Sequence, residues 1–455
     1  MKVFTVADAA RAIGGQWFID EKDMTREVRF VTSDSRQAGE GALFVAICGA
    51  RVDGHDFIEG ALANDASLCI GERDPKDASE MPFIKVDSSL AAVGRLAAWY
   101  RSLFDIPVVG ITGSVGKTTT KEMVWSVLRQ KYETHKTQKN FNNELGVPQT
   151  LLAMPEDSTA AVIEMGISDF GEMSRLTAMV KPTVAVMSII GYSHLEFLGD
   201  REGVLRAKGE IFEGVAEDGV AVLNGDDDLL CDFMPPVRRV TYGLNEGNDY
   251  VASNVENLGQ DGVACTIRWK DEEISVTIPA YGTHMVYAAL AGTAVGDQLG
   301  LSAEEIRAGI EAYETVGRRA HIEKTDSLVI VDDCYNANPS SVSAAIASLD
   351  GAKGRRVCIL GDMLELGTEE NALHEGVGKK CADAGVELLL ATGELSKYTV
   401  QGAAAMGERA KWFCDKPALI AALPDLLQKG DTVLVKASHS RKFEEITEAL
   451  LKLEL

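Results

Sequence analysis

The sequence predicts an α/β protein of three domains, and three observations carry that prediction. Unbroken apolar runs of strand length alternate with helical segments through most of the chain, as expected of parallel strands buried on both faces. A Gly-rich turn joins one such run to a helix, at Val108-Val-Gly-Ile-Thr-Gly-Ser-Val-Gly-Lys-Thr-Thr-Thr120. At 455 residues the chain exceeds what one hydrophobic core serves, and roughly two to four domains is the expected range for that length.

The first predicted domain covers residues 1 to 85 and is small. Its strands are Arg29-Phe-Val-Thr, Ala42-Leu-Phe-Val-Ala-Ile and Ser67-Leu-Cys-Ile, separated by charged turns such as Gly71-Glu-Arg-Asp-Pro75. The second domain is predicted over 86–316. It opens on a helix from Leu90 to Leu103 that leads into the strand beginning at Val108, and a further helix runs through Lys121 to Leu128. Ala160-Ala-Val-Ile-Glu-Met and Thr183-Val-Ala-Val-Met-Ser-Ile-Ile supply two more buried parallel strands. Residues 240 to 281 alternate polar and apolar around Gly and Asn turns, as in Val263-Ala-Cys-Thr-Ile-Arg-Trp and Ile274-Ser-Val-Thr-Ile, and are predicted to form an antiparallel patch. The third domain, 317–455, returns to alternation with Leu328-Val-Ile-Val, Arg356-Val-Cys-Ile-Leu, Val386-Glu-Leu-Leu-Leu and Thr432-Val-Leu-Val-Lys, a Rossmann-like pattern.

The turn after Val108 has the chemistry of a phosphate cradle. Gly113 and Gly116 let the backbone bend around an oxyanion, with Ser114 and Thr119 beside them. The helix N-terminus adds partial positive charge, Lys117 adds a full charge, and the Thr118 hydroxyl suits Mg²⁺. Ile111 stands where a strict Walker A loop has its first glycine, so the loop reads Gly-x-Thr-Gly-Ser-x-Gly-Lys-Thr-Thr. The chain is predicted to bind a nucleoside triphosphate.

Other candidates lie at the ends of strands, where ligands of open parallel sheets collect. Glu164 ends one strand and suits Mg²⁺, and His194 follows another, as a metal ligand or proton carrier. Lys208 lies on a helix, where a lysine is ordinarily a solvated charge. Asn142 and Asn143 belong to a turn-forming cluster that either presents amides to a substrate or caps the next helix. In the third domain Asp333 suits ribose hydroxyls, and Asn336 and Asn338 either hold substrate or cap a helix. Gly361-Asp362-Met-Leu-Glu365-Leu-Gly367 ends a further strand, and Asp226-Asp227-Asp228 reads as a solvated turn.

Composition excludes some classes. A net charge of −24 offers no basic stripe for nucleic acid and no attraction to an anionic membrane. The eight cysteines are scattered without paired spacing and read as small buried residues in a reducing compartment. Asp8 falls too early for a signal peptide and no apolar run has spanning length, so a cytoplasmic location is expected.

Taken in order, these segments resemble the Mur ligase family. Asn142-Asn143-Glu144-x-Gly146, Glu164-Met-Gly166, His194-Leu-Glu196, Tyr335-Asn-Ala-Asn-Pro339 and Gly361 to Gly367 are the specific matches. Thr32-Ser-Asp34-Ser35-Arg36, Leu43-Phe-Val-Ala-Ile-Cys-Gly49 and Asp53-Gly54-His55 resemble the family's amino-terminal domain, which holds the UDP end of the substrate. Within the family the likeness is to the branch that adds a dipeptide. It implies ATP and Mg²⁺, the substrates UDP-N-acetylmuramoyl-tripeptide (UDP-MurNAc-tripeptide) and D-alanyl-D-alanine, and a monomer. It also implies roles: Lys117 on the β- and γ-phosphates; Thr118, Glu164 and His194 as metal ligands; Lys208 as a carbamylated lysine; Arg318 on the nucleotide; Asp333 on ribose; Ser35 and Arg36 in substrate binding.

Three segments depart from the family pattern. Gly282-Thr-His284-Met285-Val-Tyr-Ala288 lacks the two asparagines that help to read adenine. The hinge Gly317-Arg318-Arg319 continues into Ala320 rather than Glu, and Lys436-Ala437-Ser438-His439-Ser440-Arg441 replaces Lys-Gly-Ser-Arg. Two alternatives stay open: a ligase of this architecture joining another amino acid or dipeptide, and an ATP-binding homologue with impaired catalysis.

Overall fold

The computed structural model describes residues 1–49, 52–73 and 82–455, so Asp74 and Pro75 of the expected charged turn lie outside the described residues. The strands gather into three main sheets in chain order, with a small antiparallel ribbon pairing Phe4–Thr5 to Glu27–Val28. The first sheet runs Gln16–Phe18, Phe83–Lys85, Leu68–Gly71, Ala42–Val45, Phe30–Thr32, all parallel except the Gln16–Phe18 edge.

The central sheet has nine strands, in the order Thr134–Lys136, Ala160–Glu164, Val108–Thr112, Val184–Met187, Val220–Asn224, Arg238–Gly243, Tyr250–Asn257, Val263–Trp269, Glu272–Ile278. Every residue of Val108–Thr112 and of Ala160–Glu164 is buried, which is why these strands read as continuous apolar runs. Neighbours are parallel as far as Tyr250–Asn257, and only the last three strands form an antiparallel meander. The antiparallel patch expected over 240–281 is therefore narrower. Arg238–Gly243 is parallel, and the meander extends the same sheet. Burial alternates along Val263–Trp269 and Glu272–Ile278 because one face is covered and the other is wet.

The chain crosses from one side of Val108–Thr112 to the other between Ala160–Glu164 and Val184–Met187. That strand is thus a topological switch point, and loops at its carboxyl end open into a crevice. Helix Lys117–Leu128 follows it and packs against helices Met285–Gln298 and Ala303–Glu311. The packing is close: a Cβ on Gly309 would stand 2.4 Å from Val127 Cα.

The third sheet runs His321–Lys324, Val329–Asp332, Thr432–Lys436, Arg356–Leu360, Leu388–Thr392, Ala410–Phe413, parallel except for its first strand. Apolar packing crosses the joints. One buried cluster runs from Phe4 in the first sheet region to Leu223 in the central sheet. Tyr281, which leaves the central sheet, buries its ring among Val331, Ile346 and Cys358 of the third. Among the described residues no helix is long and apolar enough to cross a membrane. Five cysteines are buried, Cys231 is partly buried, and Cys48 and Cys414 are exposed.

Candidate active site

At the carboxyl end of Val108–Thr112 the chain turns on two glycines with positive φ. Gly113 has φ 144°, and a Cβ there would lie 2.1 Å from Ser188 Oγ. Gly116, at φ 81°, begins helix Lys117–Leu128 without a side-chain cap, so the first N–H groups remain available to an anion. Lys117 Nζ folds back and donates to Gly113 O at 2.8 Å. Burial lowers its pKa and Arg319 adds to that, while Glu164 opposes them. The segment after Val184–Met187 buttresses the loop. Ser188 Oγ donates to Val115 O at 2.5 Å, and Ser114 N–H to Ile189 O at 2.7 Å. Thr119 is the third residue of that helix and is half-buried.

Glu164 ends the neighbouring strand with 1 % of its surface exposed. Thr118 Oγ1 donates to its Oε2 at 2.9 Å and Asn142 Nδ2 to its Oε1 at 2.7 Å. Lys121, one helical turn beyond Lys117, reaches within 3.8 Å of Oε2 while pairing with Glu122 at 2.9 Å. Lys121 is a part of the site that sequence reasoning missed, although its spacing of four from Lys117 was a usable signal. Asn143 behaves differently from Asn142: its Oδ1 accepts from Leu145 and Gly146 N–H at the start of the next helix.

His194 and Lys208 come from flanking loops and helices. Lys208, in helix Arg201–Gly209, is 1 % exposed rather than solvated. Burial pushes its pKa well below the ordinary value, Lys117 adds to this, and Glu172 opposes it. His194, at φ 54°, precedes a short helix, Leu195–Leu198. Burial first, then Lys208 and Lys117, hold its pKa down to about 4, so the imidazole is neutral near pH 7. Its Nδ1 lies 2.8 Å from Glu365 Oε2 but off the hydrogen-bonding line.

The segment that carries His194 is clamped from below. Asp227 Oδ2 accepts from Ile190 N–H at 2.9 Å, and its Oδ1 accepts from Leu229 and Leu230. Arg201 donates to Ile190 O at 2.8 Å and pairs with Asp228. Asp226 accepts from Leu244 N–H and Tyr287 OH. Asp226 and Asp227 thus form a bracing knot where the sequence suggested a solvated turn, because facing segments present them with N–H and O–H donors, while Asp228 stays exposed as expected.

The third domain lies against this crevice. A Cβ on Gly191 would come within 2.8 Å of Ser340 Oγ, and Gly367 approaches Glu196. Arg318 pairs within its own domain, with Asp332 at 2.7 Å and Glu448 at 3.8 Å. Its neighbour Arg319, stacked over Tyr335 at 4.0 Å, is the arginine whose charge acts on Lys117. Asp333 Oδ2 pairs with the buried Lys436 at 2.6 Å and Oδ1 accepts from Ala320 N–H, so the remaining lone pairs are what it has for a ribose. Asn338 caps helix Pro339–Ser348 through Ser341 N–H, the second of its two expected roles, and Asn336 Oδ1 accepts from Ala337 N–H. In the Gly361–Gly367 segment the fully buried Asp362 anchors Leu395 and Ser396.

In the first domain Ser35 and Arg36 sit on a 3₁₀ turn capped by Asp34, whose carboxylate also grips the exposed Arg36. His55 bridges Asp53, at 2.6 Å from Nδ1, and Glu72 N–H, at 2.8 Å from Nε2. Among the described residues no three His, Cys, Asp or Glu side chains converge as a self-sufficient metal site. A divalent cation here would therefore draw on Thr118, Glu164 and oxygens brought by a bound phosphate, the hard donors Mg²⁺ prefers.

Family comparison covers all three regions. The Mur ligase family catalytic-domain model matches residues 27–101, the Mur ligase middle-domain model 111–296, and the Mur ligase glutamate-ligase-domain model 317–439. The UDP-N-acetylmuramoyl-tripeptide–D-alanyl-D-alanine ligase of Bacillus subtilis is 37% identical over 98% of each chain. Its counterpart in Escherichia coli is 37% identical over 92% of this chain and 93% of its own. Crystal structure I of MurF from Acinetobacter baumannii superposes with TM-score 0.92 at 31% identity, covering 100% of both chains. MurF ligase from Thermotoga maritima in complex with ADP superposes with TM-score 0.86 at 29% identity, covering 95% of this chain and 99% of that one. A phosphate loop facing a buried carboxylate, a neutral histidine and a buried lysine, on a fold shared end to end with these enzymes, places this chain in the Mur ligase family.

Proposed function

We propose that this chain is an ATP-dependent amide ligase that adds D-alanyl-D-alanine to UDP-N-acetylmuramoyl-tripeptide, in peptidoglycan precursor synthesis. The observation that carries the reading is the Lys117–Thr118–Glu164 cluster at the switch point, in a chain that matches ligases of that name over nearly their whole length. Residues 1–85 would hold the UDP end through Ser35 and Arg36, 86–316 would bind ATP, and 317–455 would close over the crevice.

A carboxylate resists attack by an amine because oxide is a poor leaving group. The terminal carboxylate of the tripeptide therefore takes the γ-phosphoryl group of ATP, a P–O bond to ADP breaks, and an acyl phosphate forms. The dipeptide amine then attacks the acyl carbon, and phosphate leaves with the electron pair of the C–O bond. Lys117 and the open N–H groups after Ser114 and Gly116 hold the β- and γ-phosphates as charge moves between their oxygens. The residues fit a divalent cation: Thr118 and Glu164 are adjacent oxygen donors, and His194 is neutral and free to ligate. Mg²⁺, when bound, neutralises phosphate charge and so lets two anions meet.

Lys208 gains a role from its burial. A lysine whose pKa is pushed down presents a neutral amine, the form that reacts with CO₂, and the carbamate would carry a negative charge toward the metal side. Arg319, on the hinge, supplies the cation facing the phosphates from the third domain. The loss of amides at Met285 and Ala288 leaves backbone groups and neighbouring side chains to read adenine.

The test is phosphate release from MgATP with UDP-MurNAc-tripeptide, with and without D-alanyl-D-alanine, and the product weighed by mass spectrometry. Release that depends on both substrates, with product heavier by the dipeptide less water, is expected. ATP binding without turnover, or addition of a single amino acid, would overturn the proposal.

A further inference from the structure

We infer that Glu172 is the carboxylate that receives the amino group of the incoming dipeptide, an inference that rests on the ligase reading above. An α-amino group has an ordinary pKa of about 8, so the acceptor arrives mostly as an ammonium ion. It has to reach an acyl carbon beside Lys117 and Arg319, which repel it. An acceptor site in this crevice needs an anion that is open to solvent and not already committed.

The carboxylates of the crevice can be compared one by one. Glu164 is 1 % exposed and holds Thr118 and Asn142, with Lys121 close by. Glu210 spends both oxygens on Gly171 N–H and Ser174, which docks the start of helix Glu172–Val180 beside the end of the Lys208 helix. Glu144 is paired with Arg175. Glu172 is different. It is the first residue of its helix and half-buried, and Ser168 N–H fixes its Oε2 at 2.7 Å. That leaves Oε1 for a ligand. The docking by Glu210 brings this carboxylate near Lys208 and His194, both of which feel its charge.

The arrangement divides the labour of the crevice. Cations and Glu164 handle the phosphates, while Glu172 offers a carboxylate oxygen not already committed, oriented by a backbone N–H. Glu365, an exposed acid from the third domain 2.8 Å from His194, serves as the comparison variant.

The experiment uses the full chain, MgATP and UDP-MurNAc-tripeptide, with either D-alanyl-D-alanine or hydroxylamine as acceptor. Hydroxylamine is neutral at assay pH and needs no anion to recruit it, so hydroxamate yield reports acyl-phosphate formation alone. Glu172→Gln keeps an acceptor for Ser168 N–H and removes the charge. It is expected to raise the dipeptide KM by about tenfold or more, with hydroxamate formation within about twofold of the parent. Glu172→Asp, which keeps the charge but retracts it, should raise the same KM by a smaller factor, and Glu365→Gln should leave it unchanged. The inference is overturned if Glu172→Gln leaves the dipeptide KM unchanged, or if it slows hydroxamate and amide equally. A parent chain that forms neither hydroxamate nor amide would instead overturn the ligase reading itself.

Discussion

Single residues decide whether the phosphate loop works. Lys117 is the one full charge within the loop, and no neighbour can replace it: Lys121 is committed to Glu122 and Thr137. Lys117→Ala should lower turnover by about 10³-fold while leaving the fold intact, as loss of a preorganised charge at a reacting phosphate does. Steady-state kinetics with a thermal melt as control checks both halves. Gly113→Ala acts through backbone instead. Its φ of 144° and the 2.1 Å approach to Ser188 Oγ leave no room for a methyl group. A loss of about 2–4 kcal/mol is expected, with ATP binding abolished. These two roles were legible in the sequence because a strand, glycines, a lysine and a helix follow one another locally. Arg319 and Glu172 were not. Nothing local separates Arg319 from Arg318, and only the fold turns one toward Lys117 and the other toward Asp332.

At the scale of elements, the loops around the crevice are held by buried polar groups whose partners lie far off in sequence. Asp227 accepts three backbone N–H groups, Ile190, Leu229 and Leu230. Asp227→Ala would orphan them at a cost of about 2–4 kcal/mol and release the segment that carries His194. Denaturant unfolding should show the loss, and activity should fall with it. His374 pins the Gly361–Gly367 segment in the same way, accepting from Met363 N–H through Nε2 at 3.0 Å. Burial holds its pKa below the ordinary 6.5, and His135 and His284 share that direction for the same reason. The unfolded chain therefore takes up protons that the folded chain refuses, so stability is full above about pH 6.5 and falls as the pH drops below it. Urea midpoints near pH 7.5 should exceed those near pH 5.5, and His374→Ala should flatten part of the difference. Strands were the most legible elements: Arg356–Leu360 and Thr432–Lys436 are as read. The acidic turn misled because its local pattern, Asn-Gly-Asp-Asp-Asp, is that of a wet loop, and the donors that bury it come from residues 190, 244 and 287.

Across the whole molecule, the proposed catalysis draws on the central and third regions, which meet at the crevice. The contacts between them are apolar as well as polar. Tyr281 places its ring in the third domain's core, yet its hydroxyl has no hydrogen-bond partner among the described residues. Tyr281→Ala should therefore cost about 3–5 kcal/mol, whereas Tyr281→Phe should be close to neutral. The three-domain α/β class was legible from alternation alone, but the way the domains dock was not, since a tyrosine that leaves one core for another carries no periodic signal. In the proposed reaction ATP energy passes through the substrate carboxylate. The decisive measurement places ¹⁸O in both oxygens of the terminal carboxylate of UDP-MurNAc-tripeptide and weighs the phosphate released during amide formation. One ¹⁸O is expected in each phosphate, because the carboxylate oxygen that attacks ATP leaves with phosphorus. Amide formed with phosphate free of label would show that the carboxylate never took the γ-phosphoryl group and would overturn the acyl-phosphate mechanism.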